Sequence, residues 1–187
     1  MAHYYQNVRG AFTFPKLYYS MVSMFDNAEF AEIGCDCGQS SCFIGVEIIN
    51  QNKNIKLNLI DTWGDVDLNN PNGYDSYDLF RKNIQPVKDK LGDKINIIKD
   101  YSVNASKLFE NESLDFIFID ACHDYECVVD DLNAWFPKLK KNGIIAGHDY
   151  YAGFYGVEKA VNEFFYENSD KLYNQEYCWL YNNKHII

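Results

Sequence analysis

The stretch Ala31-Glu32-Ile33-Gly34-Cys35-Asp36-Cys37-Gly38-Gln39-Ser40-Ser41 decides how the chain is read. An apolar approach (Phe30, Ala31, Ile33) runs into an acid, two glycines four apart, and then a segment with helical spacing. A first strand turning tightly into a first helix has this form. Gly34 and Gly38 permit positive φ and close backbone approach, and the start of the following helix offers free N–H groups. The pattern reads as a nucleotide-cofactor loop.

The charges of that loop narrow the cofactor. A dinucleotide loop reads GxGxxG and seats a pyrophosphate on the helix N-terminus. Here Asp36 stands where the central glycine would be, so Glu32 and Asp36 bring two negative charges to the turn. Such a turn repels a pyrophosphate and suits a cofactor carrying an ammonium and a sulfonium.

Downstream, Cys42, Phe43, Val46 and Ile49 recur at helical intervals, and Asn50 to Asn54 closes that helix with turn formers. Ile55 to Ile60 reads as a second strand ending in Asp61. An acid there, about 20 residues past the glycines, is placed to accept hydrogen bonds from ribose hydroxyls; capping a strand end is the alternative. Thr62 to Gly73 is long and polar, with Trp63, Asp65 and Asp67, and Tyr74, Tyr77 and Phe80 lead on into a helix. It reads as a lid, unless its aromatics are core residues at helical spacing.

The remaining elements follow in alternation. Ile95 to Ile98 is a third strand, followed by Lys99-Asp100-Tyr101-Ser102 and a helix over 103–109. Leu114 to Ile119 is a fourth strand, apolar on both faces as a parallel sheet requires, and ends in Asp120. A helix opening near Tyr125 carries the stripe Val128, Val129, Leu132, Trp135 and Phe136. The pattern extends that helix to Lys138–Lys141, stops it at Asn142-Gly143, and puts a fifth strand at Ile144 to Ala146 before Gly147-His148-Asp149-Tyr150. Val157, Ala160, Val161, Phe164 and Phe165 mark a last helix, and 175–180 and 185–187 read as two closing strands. Upstream of the loop, Leu17 to Phe25 suits a short helix beside the first strand. The whole is a doubly wound, mostly parallel α/β sheet in a single domain, 1–187, with 1–29 as an N-terminal helical or lid segment and 30–187 as the core.

Composition sets bounds. An aromatic content of 17% within 47% apolar residues excludes disorder. A net charge of −10 disfavours nucleic acid as the main partner. The sequence shows no signal peptide or membrane span, so a cytoplasmic protein with reduced thiols is expected. Six cysteines without CxxC spacing argue against zinc.

Three motifs carry a family resemblance: E-I-G-x-x-x-G-x-S from Glu32, F-I-D-A-x-H-D-Y-E-x-V-x-x-D-L-x-x-W from Phe118 to Trp135, and G-H-D-Y from Gly147. The chain resembles class I S-adenosylmethionine-dependent methyltransferases, specifically a group of small O-methyltransferase-like proteins. The resemblance runs from about Phe30 to Phe165. It implies a seven-stranded Rossmann-like sheet with a C-terminal antiparallel strand pair. It implies S-adenosylmethionine as cofactor, its methionine part near Glu32, Gly34 and Asp36, its ribose at Asp61, and its adenine between Ser102 and the Asp120 region, with Gly38, Ser40, Thr62 and Trp63 as further cofactor-binding residues. Asp36 in place of the central glycine departs from the commoner class I pattern and agrees with this group.

Each acid at a strand end falls where open α/β sheets bind ligands. For methyl transfer to a hydroxyl, His123, His148 and Asp149 are the candidate catalytic groups, an imidazole being the side chain that titrates near neutrality. Alternatively Asp120 and Asp149, with His148, hold Mg²⁺ or another divalent cation that lowers the acceptor's pKa. Asp124, Glu126, Asp130 and Asp131 read as helix N-terminal charge and solvated face. The expected activity is O-methylation of a small-molecule or sugar hydroxyl, with a homodimer as the protein partner left open. A nucleotide-dependent oxidoreductase and a catalytically silent cofactor-binding domain are the alternatives.

Overall fold

The computed structural model describes residues 1–64 and 75–182. Among them the strands β1 (Asn27–Ile33), β2 (Asn54–Asp61), β3 (Ile95–Lys99), β4 (Leu114–Ile119), β5 (Leu139–Gly147), β6 (Leu172–Gln175) and β7 (Cys178–Asn182) form one sheet. Its order is β3-β2-β1-β4-β5-β7-β6. The pairings β2–β3, β1–β2, β1–β4 and β4–β5 are parallel, and β5–β7 and β6–β7 are antiparallel. This is the Rossmann-like methyltransferase architecture that the motifs imply, with its antiparallel closing pair.

Both faces of the sheet are buried, which is why its central strands read as apolar runs. Phe30, Phe116, Phe118, Ile144 and Ala146 point to one core; Ala31, Ile33, Ile117, Ile119 and Ile145 point to the other. The first core is covered by α1 (Pro15–Met24), α2 (Gln39–Asn50) and α3 (Ser76–Leu91), the second by α4 (Ser102–Ser106), α5 (Tyr125–Trp135) and α6 (Tyr155–Phe164). Pro15 sits at the first turn of α1, where its fixed φ suits helix entry. Leu17, Tyr18, Met21 and Val22 then bury that helix against the sheet, in the core rather than as a lid.

Three boundaries differ from expectation. Helix α5 stops at Trp135, because Pro137 lacks an amide donor and restricts Phe136; a 3₁₀ turn, Phe136–Lys138, follows, and Leu139–Gly147 is all strand. Lys140, expected at a helix end, lies in β5 with its ammonium 2.7 Å from Asp115 on β4. Helix α4 is shorter than expected and closes at Ser106. The closing strands fall at 172–175 and 178–182, joined by Glu176 and Tyr177, both at positive φ (54° and 64°). That two-residue hairpin turn normally calls for Asn or Gly, so its sequence hides it. The expected strand at 185–187, and Asp65, Asp67 and Tyr74 of the expected lid, lie outside the described residues.

Candidate active site

A cleft of about 1120 Å³ opens over the carboxyl ends of the parallel strands. At its β1–β2 side, Gly34 has φ +89°, and a Cβ there would lie 1.9 Å from the Asp120 carbonyl oxygen. Only glycine lets the ends of β1 and β4 approach so closely. Gly38 caps α2 in the left-handed region and abuts Phe80, behind the cleft wall. Gly34, Asp36, Ser40, Asp61 and Thr62 line the cleft.

The Asp61 carboxylate is already engaged. One oxygen accepts the backbone N–H groups of Cys35 (2.7 Å) and Asp36 (2.9 Å), and the other accepts that of Trp63 (2.7 Å). Trp63 in turn donates its indole N–H to the Asp36 carbonyl at 2.9 Å. The turns after β1 and β2 are thereby locked together. Trp63 is 2% exposed and packs on Phe80 and Tyr77, so it belongs to the core beneath the cleft. Glu32 also lies beneath it: its carboxylate accepts from the hydroxyls of Tyr18 (3.0 Å) and Ser41 (2.6 Å), and burial pushes its pKa up to about 7.

At the β4–β5 side the charged groups face each other instead. His123 Nε2 is 2.8 Å from Asp149 Oδ2 and 3.9 Å from Asp120 Oδ1. Hydrogen bonding to Asp120 and the charge of Asp149 raise the His123 pKa, outweighing burial, although Asp149 is the nearer by geometry. Burial raises the Asp149 pKa. Asp149 is held at φ 58°, a strained conformation for a non-glycine residue of the kind found at functional sites. Gly147 makes the approach feasible, since a Cβ there would meet the Ile119 carbonyl at 2.5 Å and the Trp179 indole at 2.6 Å. His148 places Nδ1 3.4 Å from Asp149 and 3.8 Å from Asp120, while its Nε2 pairs with the Thr13 hydroxyl at 2.9 Å. The donor atoms of Asp120, His123 and Asp149 all lie within 4.8 Å of one another. Of the three residues expected to hold a cation, Asp120 and Asp149 fall in this cluster, and His148 lies beside it.

Residues 9–14, within the N-terminal segment expected to be helical or a lid, form a wall of the cleft, held by Gln39 accepting the Phe12 N–H (2.9 Å) and by the Thr13–His148 contact. One part of the cleft escaped the sequence reading. On the opposite wall Asp131, expected on a solvated face, is 4% exposed and lines the cleft beside Ser102. Burial raises its pKa to about 6, opposed by the Ser102 hydroxyl. Its position in the helix held the signal: three residues after Val128 and four before Trp135 is the buried stripe itself.

A family model described as a methyltransferase domain matches residues 31–150. No curated protein sequence matches this one. The fold is similar to that of a Corynebacterium glutamicum protein (TM-score 0.65, 10% identity, 97% of this chain and 87% of that one covered). It is also similar to a methyltransferase from Geobacter sulfurreducens (TM-score 0.63, 14% identity, 92% and 79% covered) and to the O-methyltransferase NovP (TM-score 0.60, 15% identity, 90% and 78% covered). The family matched is one of transferases, not the oxidoreductases weighed as an alternative. Because its model spans well over half of the 187 residues, the chain belongs to this methyltransferase family and is an S-adenosylmethionine-dependent enzyme of class I.

Proposed function

We propose that the enzyme methylates a hydroxyl oxygen of a small-molecule or sugar acceptor, and that the acceptor enters between the 9–14 wall and the histidines. The observation that carries this reading is the His123–Asp149 pair, a base with its orienting carboxylate at the cleft end away from the ribose-side loop. S-adenosylmethionine supplies an electrophilic methyl on a sulfonium, and a cleft walled by Asp36, Asp61, Asp120, Asp131 and Asp149 suits that cation.

Within this reading His123 takes the acceptor proton at the ring nitrogen that does not face Asp149, whose carboxylate holds Nε2. Asp149 orients the ring and stabilises the imidazolium that forms. His148 serves as a positioning residue, because its Nε2 is committed to Thr13. Phe12, Phe14, Tyr151 and Phe154 supply the apolar surface that keeps water from the acceptor. The raised His123 pKa means that activity climbs with pH through a value higher than that of an unperturbed histidine.

The Asp120, His123 and Asp149 cluster favours a second reading of the same site. Two carboxylates and one imidazole fit Mg²⁺ or Mn²⁺, and such a cation would polarise the acceptor oxygen as a Lewis acid. Calorimetric titration with S-adenosylhomocysteine and with NAD, followed by transfer of labelled methyl to a panel of sugar and phenolic hydroxyls, tests the proposal. Micromolar binding of the first compound and label on acceptor oxygen are expected. Label on nitrogen or carbon acceptors alone would overturn the O-methyl reading. Loss of turnover in EDTA, restored by Mg²⁺ or Mn²⁺, would select the cation over the unaided base.

A further inference from the structure

We propose that Cys122, Asp124 and Cys127 form a binding site for one thiophilic divalent cation of the zinc class at the rim of the cleft. The site shares no ligand with the Asp120, His123 and Asp149 cluster.

The cysteines fall into two groups. Cys35, Cys37, Cys42 and Cys178 are buried, whereas Cys122 is exposed, Cys127 is partly exposed, and both line the cleft. These two lie five residues apart in the chain, without the CxxC spacing that marks most zinc sites. The turn from β4 into α5 is what joins them: both sulfurs and a carboxylate oxygen of Asp124 lie within 4.8 Å of one another. A tetrahedral site with Zn–S bonds of about 2.3 Å holds two thiolates roughly 3.8 Å apart, so the donors need to close by about 1 Å at most. Rotation of surface side chains supplies that. Asp124 precedes α5, where an aspartate commonly turns its carboxylate onto the first free amides, yet its side chain makes no capping hydrogen bond. The carboxylate stands with the thiols instead.

The charges around the pair select a cation. The hydrogen bond with Cys122 is the first cause that pushes the Cys127 pKa up to about 11, followed by burial and by neighbouring charge, that of Asp124 and Asp131 included. Thiols kept protonated in a negative field react slowly with oxidants, but the same field draws in a cation that takes the place of their protons. Two thiolates and one carboxylate make a softer set than the carboxylates and imidazole around Asp149, and prefer Zn²⁺ or Cd²⁺ to Mg²⁺. The loaded site keeps one net negative charge, which the N-terminus of α5 favours. His123 stands between two of the ligands in the chain, so occupancy ties down the backbone on either side of it.

The test titrates the full chain, reduced and freed of metal, with Co²⁺ and with Cd²⁺, and reads thiolate-to-metal charge-transfer absorption. One equivalent of either cation per chain is expected to produce the band, and Zn²⁺ to abolish the Co²⁺ band by displacement. Cys122→Ser and Cys127→Ser should each weaken Co²⁺ binding by at least about tenfold. His123→Gln, which breaks the neighbouring cluster alone, should leave the band in place. Zn²⁺ should also protect both thiols of the unaltered protein from alkylation by a maleimide, a readout that needs no variant. Absence of the band with the thiols reduced, a band at one cation per two chains, or a band that survives the double serine variant would overturn the assignment. Binding lost in His123→Gln would overturn it as well, by placing the cation in the Asp120, His123 and Asp149 cluster.

Discussion

At the β1–β2 end of the cleft the acids are committed to the protein's own hydrogen bonds, whereas at the β4–β5 end they face one another and two histidines. Asp61 accepts three backbone N–H groups, and Glu32 lies buried beneath two hydroxyls. Asp120, His123, His148 and Asp149 instead share a few ångströms with few donors from the backbone. Both ends consist of acids at strand termini, yet the first holds a shape, and the proposed function gives the second the task of moving a proton. Mutations should therefore separate shape and binding from turnover.

The largest expected effect is Asp149→Asn, which keeps side-chain size and tolerates the left-handed backbone. It should lower kcat by about 10²–10⁴-fold with S-adenosylhomocysteine affinity within threefold, and shift the rising limb of the pH–rate profile to lower pH as His123 loses its partner. Methyl-transfer assays across pH, paired with calorimetry, read all three quantities; undiminished turnover would remove Asp149 from the chemistry.

At the other end, Asp61→Ala leaves the amides of Cys35, Asp36 and Trp63 without their acceptor. A stability loss of about 4 kcal/mol in urea unfolding and at least tenfold weaker cofactor binding are expected. Near-normal affinity would reject Asp61 as a ribose-side residue, and a kcat loss without an affinity loss would erase the distinction between the two ends.

Glu32 sharpens the comparison through pH. Its folded pKa of about 7 exceeds the ordinary 4.5, so the folded protein binds more protons than the unfolded chain between those values. Stability must then fall as pH rises across that window, by as much as ~3 kcal/mol from this group. Glu32→Gln should flatten that part of the stability–pH curve, and an unaltered slope in denaturant titrations at pH 5 and 7.5 would count against a buried, titrating Glu32.

Thr13→Val should act least. With the hydroxyl gone, His148 loses the partner at Nε2, at a cost near ~1 kcal/mol, seen as a rise of a few fold in acceptor KM at unchanged cofactor affinity. An effect on cofactor binding instead would assign the 9–14 wall to the wrong end of the cleft.

How far the sequence could be read depended on the kind of signal. Phe116 to Ile119 and Ile144 to Ala146 are buried on both faces, and uninterrupted apolar runs record that directly. The Glu176-Tyr177 turn has neither glycine nor asparagine, so nothing local marks the hairpin that the tertiary packing imposes. Asp131 lay within a recognised motif, but its charge outweighed its place on the buried stripe and sent the reading to solvent. Asp61 was identified as a site residue, while the three amides that already hold it come from turns that sequence spacing does not orient.

By itself the sequence determined the strand and helix alternation, the acids at the strand ends and the family, because apolar periodicity and motif spacing are local properties of the chain. The tertiary structure alone decided which of the site's acids and histidines already have partners within the protein. That depends on backbone donors and hydroxyls converging from distant residues: Tyr18 onto Glu32, Cys35 onto Asp61, Ser102 onto Asp131 and Thr13 onto His148. Desolvation and hydrogen bonding act through space, and only the folded chain brings those partners within reach.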